Sequence, residues 1–268
     1  MNFPYNTTDK EQETRGELIA RIHASLIGQL LKEKGYDENY AGFCDHTVLR
    51  AYTPTSVIRQ FCEEAKKYHA KAVCVNPIHV ALVHQELMGS DVCTATVIGF
   101  PLGANKPCTK AFEAKEAIAD GADEVDMVIN IGALREGNYQ LVLDDIRGVV
   151  AVAQGKARVK VIIETCYLTD EEKKKACELV IEGGADFVKT STGMGTGGAT
   201  VHDIELLRRV AGNRIKVKAS GSVDNREKAY ALLKAGADRL GVSRVPQIVN
   251  DDNTLFSASK GNQPPKFD

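Results

Sequence analysis

The chain has 268 residues, a formal net charge of −2, 43% hydrophobic residues and 26% charged residues. This balance is typical of a globular protein with a sizeable core, and it offers no basic surface for nucleic acid or for an anionic membrane. The chain has no Trp and no long apolar run, and residues 1–15 are too polar for a secretory signal, so we expect a cytosolic protein that does not bind a membrane.

In chain order, residues 1–40 form an extension, residues 41–249 form the main domain, and residues 250–268 form a polar tail. The extension begins with a polar stretch. Apolar residues from Leu18 to Leu31 then recur every three or four positions, which predicts an amphipathic helix.

The main domain alternates eight short strand-like runs with helical patterns. The predicted strands are residues 42–45, 72–76, 93–99, 124–130, 160–165, 186–191, 215–220 and 239–243. The predicted helices are residues 54–69, 77–88, 107–120, 138–154, 169–182, 201–211 and 225–235. Such alternation indicates parallel strands joined by right-handed crossovers, and eight units in about 200 residues have the size of a closed barrel. The predicted fold is a (β/α)8 TIM barrel with an N-terminal helical extension.

Three of the predicted strands directly follow a Gly-Ala-Asp motif. The motifs are Gly121-Ala122-Asp123, Gly184-Ala185-Asp186 and Gly236-Ala237-Asp238. Each follows a predicted helix, so the glycine is typical of a helix end and the alanine of a tight turn into the strand. The recurrence supports a barrel of equivalent units.

The seven cysteines and six histidines do not have the spacings of a disulfide framework or a metal site. No two cysteines form a Cys-x-x-Cys pair, and Cys74 and Cys93 lie in apolar strand-like runs, so we interpret them as reduced core residues. His79 and His84 are five positions apart and fall on different faces of a helix, so the sequence predicts no metal.

Lys189 lies inside the predicted strand 186–191, where burial of an ammonium is costly unless it pairs or loses its proton. Strand alternation places it on an inward face. Glu124 and Lys160 also face inward, and the upper part of the interior is predicted to hold Asp126, Glu164, Lys189 and Lys218. Barrels ordinarily fill this space with Val, Ile and Leu. We interpret the cluster as functional, and a structural network of buried salt bridges is the alternative.

Two lysines in one cavity predict a Schiff-base enzyme, because the ammonium of one lysine depresses the pKa of the other. The neutral amine attacks a carbonyl, and the resulting iminium accepts electrons when an adjacent carbon–carbon bond breaks. Asp126 suits the accompanying proton transfers, directly or through a water. This chemistry needs no metal and no organic cofactor, so none is expected.

The segment from Gly193 to Gly198 fits the dinucleotide fingerprint G-x-G-x-x-G between a strand and a helix. The fingerprint also requires an acidic residue near the end of the next strand, but that strand ends at Ser220 and the next acid is Asp224. We interpret the glycines as a loop whose backbone N–H groups approach a ligand such as phosphate. A dinucleotide-dependent oxidoreductase is the least favoured alternative.

Seven motifs between Asp45 and Ser243 are similar to the deoxyribose-phosphate aldolases, a family of class I aldolases on a β/α barrel. The motifs are residues 45–47, 73–77, 97–103, 124–130, 160–165, 187–193 and 218–221. The resemblance implies reversible cleavage of 2-deoxy-D-ribose 5-phosphate to D-glyceraldehyde 3-phosphate and acetaldehyde. It also implies that Lys189 forms the Schiff base, Lys218 lowers its pKa and Asp126 joins the proton relay.

Substrate-binding residues follow from the same resemblance, in which Asp45 and Thr47 match a pair that lines the family's pocket. The predicted substrate-binding residues are Asp45, Thr47, Cys74, Thr192, Gly221, Ser222, Ser243 and Arg244. The expected partners are a sugar phosphate and aldehydes, without nucleic acid, and the chain is a candidate homodimer because dimers are common among such barrels.

The sequence departs from the family pattern at the expected phosphate end, in the loops after strands seven and eight. Where the family has two glycines and then an arginine, the chain has Gly221, Ser222, Val223 and Asp224. Arg244 follows strand eight where the family has a small residue. Asp224 would repel a phosphate if it pointed inward, and Arg244 could donate to one, unless both are solvated surface residues. Two alternatives stay open: a related class I aldolase with an altered or unphosphorylated substrate, and an inactive sugar-phosphate-binding barrel.

Overall fold

The computed structural model describes residues 40–250, together with Gln29, Lys32 and Glu33, which are helical and exposed. The rest of the predicted amphipathic helix lies outside the described residues, and so does the predicted tail beyond Asn250. In the part of the chain that is described, no helix is long and apolar enough to cross a membrane.

Eight parallel strands form a closed barrel in sequence order, and the first strand pairs with the last. The strands are β1 (Cys44–Val48), β2 (Ala72–Val75), β3 (Cys93–Ile98), β4 (Glu124–Val128), β5 (Arg158–Ile162), β6 (Phe187–Lys189), β7 (Lys216–Ser220) and β8 (Arg239–Val242). The predicted (β/α)8 barrel is confirmed.

Residues 40–250 contain nine α-helices. They are α1 (Thr55–Tyr68), α2 (Val80–Leu87), α3 (Pro107–Ala119), α4 (Ile131–Arg135), α5 (Tyr139–Ala153), α6 (Asp170–Glu182), α7 (Val201–Ala211), α8 (Arg226–Lys234) and α9 (Val245–Asn250). Seven of them correspond to the predicted helices. The sequence did not predict α4 and α9, because helices of five and six residues are too short to display an apolar period.

Several helices are capped at their N-termini by polar side chains, which accept hydrogen bonds from the free backbone N–H groups of the first turn. Thr169 and Glu172 form a reciprocal capping box at the start of α6. Asn138, Thr200 and Asn225 accept a backbone N–H at the starts of α5, α7 and α8. The observed starts of these four helices lie within one residue of the predicted ones.

The three Gly-Ala-Asp motifs connect helix to strand in the same way. The carboxylate of each aspartate accepts a hydrogen bond from the second residue of the preceding strand, at 2.8 Å for Asp123 and Asp186 and at 2.9 Å for Asp238. Each motif therefore ties the start of its own strand to the neighbouring strand, which fixes the register at three places around the barrel.

Alternate residues of β2 belong to two different apolar clusters. Val73 and Val75 pack with residues of α1 and α2, whereas Ala72 and Cys74 pack with β3 on the opposite face. The inner face of this side of the barrel is therefore built from small residues. That leaves room for long side chains from the strands across the barrel.

Every strand differs from its predicted bounds by at least one residue, and the differences are largest for β1, β5 and β6. β1 begins at Cys44, because residues 40–43 form a 3-10 turn. β5 begins earlier than predicted and ends at Ile162, because Glu164 adopts a left-handed backbone with φ +52° that cannot continue a strand. β6 has only three residues.

A buried ion pair outside the barrel interior joins α3, α5 and the end of β4. The ammonium of Lys110 lies 2.5 Å from the carboxylate of Asp145 and donates to the carbonyl of Val128 at 2.7 Å, and both charged side chains are fully buried. Burial raises the pKa of Asp145 and lowers that of Lys110. The Lys110 stem occupies the space beside Gly99, where a Cβ would lie 2.9 Å from Cε.

We expect Lys110→Met to destabilise the fold by about 3–5 kcal/mol, because it leaves the buried Asp145 without its cation. The double variant Lys110→Met/Asp145→Leu removes both charges and should recover most of that loss. Urea unfolding midpoints measure the difference. Equal midpoints for the single variant and the original protein would contradict this account of the pair.

Candidate active site

Lys189 is the last residue of β6, and its side chain is buried inside the barrel. Only 3% of the residue is exposed, and Nζ donates to Oδ2 of Asp126 at 2.8 Å. In the strand register Lys189 pairs with Lys218 of β7. Lys218 Nζ reaches the same Asp126 oxygen at 2.8 Å, so the two ammonium groups share one carboxylate oxygen.

Seven buried ionisable side chains contact one another in the barrel interior, and we refer to them as the ion network. Its members are the carboxylates Asp45, Glu124 and Asp126 and the cations Lys160, Lys189, Lys218 and Arg239. Asp126 is at its centre, because a third ammonium, that of Lys160, also donates to it at 2.7 Å.

Arg239 and Glu124 form the end of the ion network nearest the strand N-termini. Arg239 donates to Asp45 at 2.5 Å and to both oxygens of Glu124 at 3.2 Å. Its guanidinium also lies 5.5 Å from the ring centre of Phe187. Lys160 links this end to the centre, since it lies 2.6 Å from Glu124 as well as 2.7 Å from Asp126.

The four cations exceed the three carboxylates, so the fully ionised network carries one surplus positive charge. Burial lowers the pKa of Lys189, and the ammonium of Lys218 lowers it further against the attraction of Asp126. For Lys160, Lys218 and Arg239, the nearby carboxylates outweigh the burial that disfavours their charge, and their pKa values are raised. Lys189 is therefore the member that loses its proton most readily.

The carboxylates of the ion network remain ionised. Burial would raise the pKa of Asp126, but the three surrounding ammonium groups outweigh it and hold that pKa well below its usual value. The pKa values of Asp45 and Glu124 are lowered for the same reason, by Arg239, Lys160 and, for Asp45, Lys218. Asp126 can accordingly accept hydrogen bonds from several donors at once.

Small residues next to the ion network leave the volume that its long side chains occupy. A Cβ at Gly241 would lie 2.3 Å from Oγ of Ser220 and 3.5 Å from Cε of Lys218, so a larger residue at position 241 would require the Ser220 side chain to move. Cys74 is fully buried, and burial raises the pKa of its thiol to about 11. The thiol is therefore a neutral neighbour of the lysines.

Four predicted site residues belong to the ion network: Asp45, Asp126, Lys189 and Lys218. Thr47 lies two residues along β1 from Asp45, is half-buried, and donates to the Asp45 carbonyl at 2.9 Å. The predicted phosphate-end residues lie in the loops after β7 and β8. Gly221 and Arg244 are half-buried, whereas Ser222, Asp224 and Ser243 are exposed.

The prediction that Glu164 joins the lysine cluster is wrong. Its left-handed backbone interrupts the strand alternation and turns the carboxylate toward the loop after β6. There it accepts hydrogen bonds from the Thr192 hydroxyl and from the Thr192 backbone N–H, the latter at 3.2 Å. Glu164 is only 2% exposed, so this buried carboxylate holds the start of the glycine loop.

The loops after β6 and β7 are joined through their backbones. Ala199 N–H donates to the carbonyls of Ser220 and Gly221 at 3.0 and 3.1 Å. A Cβ at Gly198 would lie 2.4 Å from the Gly221 carbonyl oxygen, so the glycine permits this close approach. Ser222 follows with φ +54°, a left-handed conformation that is uncommon for serine. The two loops form one unit at the carboxyl ends of the strands.

Lys160, Glu124 and Arg239 were missing from the predicted site residues. Glu124 and Lys160 were assigned to the inward face but not to the site, and Arg239 was not considered. The Gly-Ala-Asp repeat could have identified two of them, because Glu124, Phe187 and Arg239 each directly follow a copy of the motif. Equivalent positions in equivalent units face the same layer of a barrel.

Two surface cavities, of about 460 and 380 Å³, open at the opposite end of the barrel, where the strands begin. Both include Arg158, whose guanidinium lies 3.6 Å from Glu124 and is 52% exposed. Barrel enzymes place their chemistry at the carboxyl ends of the strands, so the site is assigned by its side chains and not by these cavities. Among residues 40–250, no group of three or more His, Cys, Asp or Glu side chains is arranged to hold a metal.

The chain is similar to known aldolases in sequence and in fold. The model of the DeoC/LacD family aldolases matches residues 41–243. A deoxyribose-phosphate aldolase from Lysinibacillus sphaericus is 55% identical over 214 residues, which cover 80% of this chain and 96% of that protein. One from a Geobacillus species is 56% identical over 213 residues, with the same coverage. The tetrameric deoxyribose phosphate aldolase of Aeropyrum pernix, a solved structure, superposes with a TM-score of 0.77 at 28% identity, covering 86% of this chain and 97% of its own.

We expect Thr192→Val to destabilise the fold by about 1–3 kcal/mol, because it removes a hydroxyl donor from the buried carboxylate of Glu164. Thr192→Ser keeps the hydroxyl and serves as the matched control. Thermal unfolding of the two variants measures the difference. If valine and serine give the same midpoint, the hydrogen bond to Glu164 does not stabilise this loop.

Proposed function

The chain belongs to the DeoC/LacD family of aldolases, which are carbon–carbon lyases, and on that premise we propose that it cleaves 2-deoxy-D-ribose 5-phosphate reversibly to D-glyceraldehyde 3-phosphate and acetaldehyde. One observation carries this proposal. The buried Lys189 shares the oxygen of Asp126 with the ammonium of Lys218, and its pKa is lowered by burial and by that ammonium. A lysine whose pKa is lowered has a larger fraction of the neutral, nucleophilic amine than an exposed lysine at the same pH.

Lys189 is the residue that we place in covalent contact with the substrate. Its neutral amine attacks the C1 aldehyde of the open-chain sugar, and loss of water leaves an iminium. Loss of the C3 hydroxyl proton then breaks the C2–C3 bond, and the electron pair moves to the iminium nitrogen to give an enamine. D-glyceraldehyde 3-phosphate leaves at this point. Protonation of C2 and hydrolysis release acetaldehyde and restore the amine.

Asp126 and Lys218 support the proton transfers of this sequence. Asp126 stays ionised and accepts from three ammonium groups, so it can pass a proton between its donors and a bound water or substrate hydroxyl. Lys218 keeps its proton because Asp126 and Asp45 raise its pKa against the effect of burial. Its fixed positive charge disfavours protonation of Lys189.

We assign the phosphate to the loops after β7 and β8, where barrels bind phosphate, together with the glycine loop after β6. The loops after β6 and β7 are joined by backbone hydrogen bonds at the carboxyl ends of the strands. Ser222 and Asp224 favour a second candidate function, an aldolase for an altered or unphosphorylated substrate. The serine has a left-handed backbone with φ +54°, and the aspartate adds a negative charge to the same exposed loop.

Borohydride reduction in the presence of acetaldehyde should attach an ethyl group to Lys189 in preference to every other lysine, because its lowered pKa gives it a larger fraction of the neutral amine that forms the imine. Peptide mass mapping locates the adduct, and Lys189→Met should abolish both the adduct and the cleavage of deoxyribose 5-phosphate. Labelling of Lys160 or Lys218 in place of Lys189 contradicts the assignment.

Deoxyribose 5-phosphate should be cleaved with a kcat/KM at least tenfold higher than that of deoxyribose, since hydrogen bonds to a charged group contribute about 1.5–3 kcal/mol. Steady-state kinetics on both substrates test this. A ratio near one supports the altered-substrate candidate. Asp224→Asn, compared with the exposed Glu227→Gln as control, shows whether the Asp224 charge sets the ratio.

A further inference from the structure

Arg239 lies at the opposite end of the barrel from the substrate loops, yet it belongs to the same ion network as Lys189. It is 4% exposed, starts β8, and donates to Asp45 and Glu124. Lys218 lies between them, since it pairs with Lys189 on one side and with Arg239 on the other. Two strand spacings, or about 10 Å, thus separate the backbones of Arg239 and Lys189.

We propose that Arg239 and Glu124 are positioning residues that set the charge state of Lys189 from this distance, by fixing the charge balance of the ion network. The proposal rests on the Schiff-base function given above. With Arg239 present, four cations face three carboxylates, and the network becomes neutral when one amine loses its proton. Without Arg239, the network is neutral with Lys189 protonated.

Lys189 is the amine that loses the proton because it has the fewest carboxylate contacts. Its ammonium reaches Asp126 alone, and it shares that carboxylate with Lys160 and Lys218. Lys160 contacts three carboxylates, and Lys218 and Arg239 contact two each. Lys189 is therefore the group that loses the surplus proton, which is consistent with its lowered pKa.

The other strands add no further charged group to the interior around Lys189, so the balance of four cations and three carboxylates holds. β1 contributes Asp45, β4 contributes Asp126 and Glu124, and β5, β7 and β8 contribute the three other cations. β2 and β3 contribute the thiols of Cys74 and Cys93, and burial raises the pKa of both. The other inward residues of β3 are apolar. Beyond β5, Glu164 is engaged by Thr192 and contacts no member of the network. Arg158 touches Glu124 from outside, but it is half exposed and solvent screens its charge.

Removing either remote charge shifts the pKa of Lys189 in a defined direction. Arg239→Met removes a cation, so protonated Lys189 becomes more stable and its pKa rises. Glu124→Gln removes an anion, so the pKa falls. A unit charge about 10 Å away, at an effective dielectric constant of about 20, shifts a pKa by about one unit. At a pH on the acid limb of the rate profile, each shift changes the rate by about tenfold.

The test is the pH dependence of kcat/KM for deoxyribose 5-phosphate, whose acid limb reports the pKa of the essential base in the free enzyme. Borohydride trapping with acetaldehyde over the same pH range reports the Lys189 amine directly. We expect the acid limb to move up by about one pH unit in Arg239→Met and down by about one in Glu124→Gln. It should return to its original position in the double variant, and it should stay there in the charge-conserving Arg239→Lys.

The outcomes separate this inference from the proposed function. If the original protein forms no adduct at Lys189, the proposed function fails. A different result is that the adduct forms but the acid limb of the pH profile stays in place in both single variants, or moves in the same direction in both. That result overturns the role of Arg239 and Glu124 and leaves the proposed function intact. If Arg239→Met does not fold, the test uses Glu124→Gln alone. An acid limb that moves to lower pH in this variant supports the inference, and an acid limb that does not move overturns it. A purely structural role would lower activity in every variant without opposite shifts.

Discussion

The burial of four cations with three carboxylates is the constraint on which the rest of this barrel depends. An ammonium that is removed from water must either pair with a carboxylate or become neutral. Lys160 and Lys218 each reach more than one carboxylate, whereas Lys189 shares its single partner with both of them. The burial that makes such a network a costly core therefore also lowers the pKa of one amine, that of Lys189. A core of apolar residues would be more stable but would have no nucleophile.

The fold meets this constraint by fixing the register of the strands and by keeping part of the interior small. The aspartates of the Gly-Ala-Asp motifs tie three strands to their neighbours, so the inward positions fall at defined heights. Ala72 and Cys74 on the inner face of β2, and Gly241 on β8, leave the volume that the long cations occupy. A one-residue slip of β6 would place Lys189 under the helices and Val188 in the interior, so the chemistry depends directly on register.

The alternation of strand-like and helical runs predicts the barrel. The alternation of side chains along β4, β6 and β7 predicts the inward positions of Asp126, Lys189 and Lys218, because a period of two is visible even in strands of three to five residues. It was wrong for Glu164, since nothing in the sequence marks a glutamate with a left-handed backbone. The role of Arg239 was not predicted, for a different reason. Its partners Asp45 and Glu124 lie on β1 and β4, and the contact with β4 crosses the barrel, so it depends on closure and on the relative heights of strands that do not pair. The side-chain pattern of a single strand does not show the position of its residues along the barrel axis relative to a strand on the opposite side.

Amine chemistry and substrate choice depend on different parts of the molecule. The charge state of Lys189 is set within the barrel, where every partner is buried and the backbone is regular. In the proposed function, the substrate's far end meets the loops after β6 and β7. Glu164, which follows β5, and Ser222, which follows β7, hold left-handed backbones, and Asp224 is exposed. Strained conformations of this kind persist only where the surroundings hold them, here through Thr192 for Glu164 and through the backbone bonds of Ala199 for the two loops. A change of charge in these loops alters the field around a bound phosphate but leaves the contacts of Lys189 unchanged. Under the proposed function, the same amine chemistry is therefore compatible with more than one substrate, and we assign the choice between substrates to the loops.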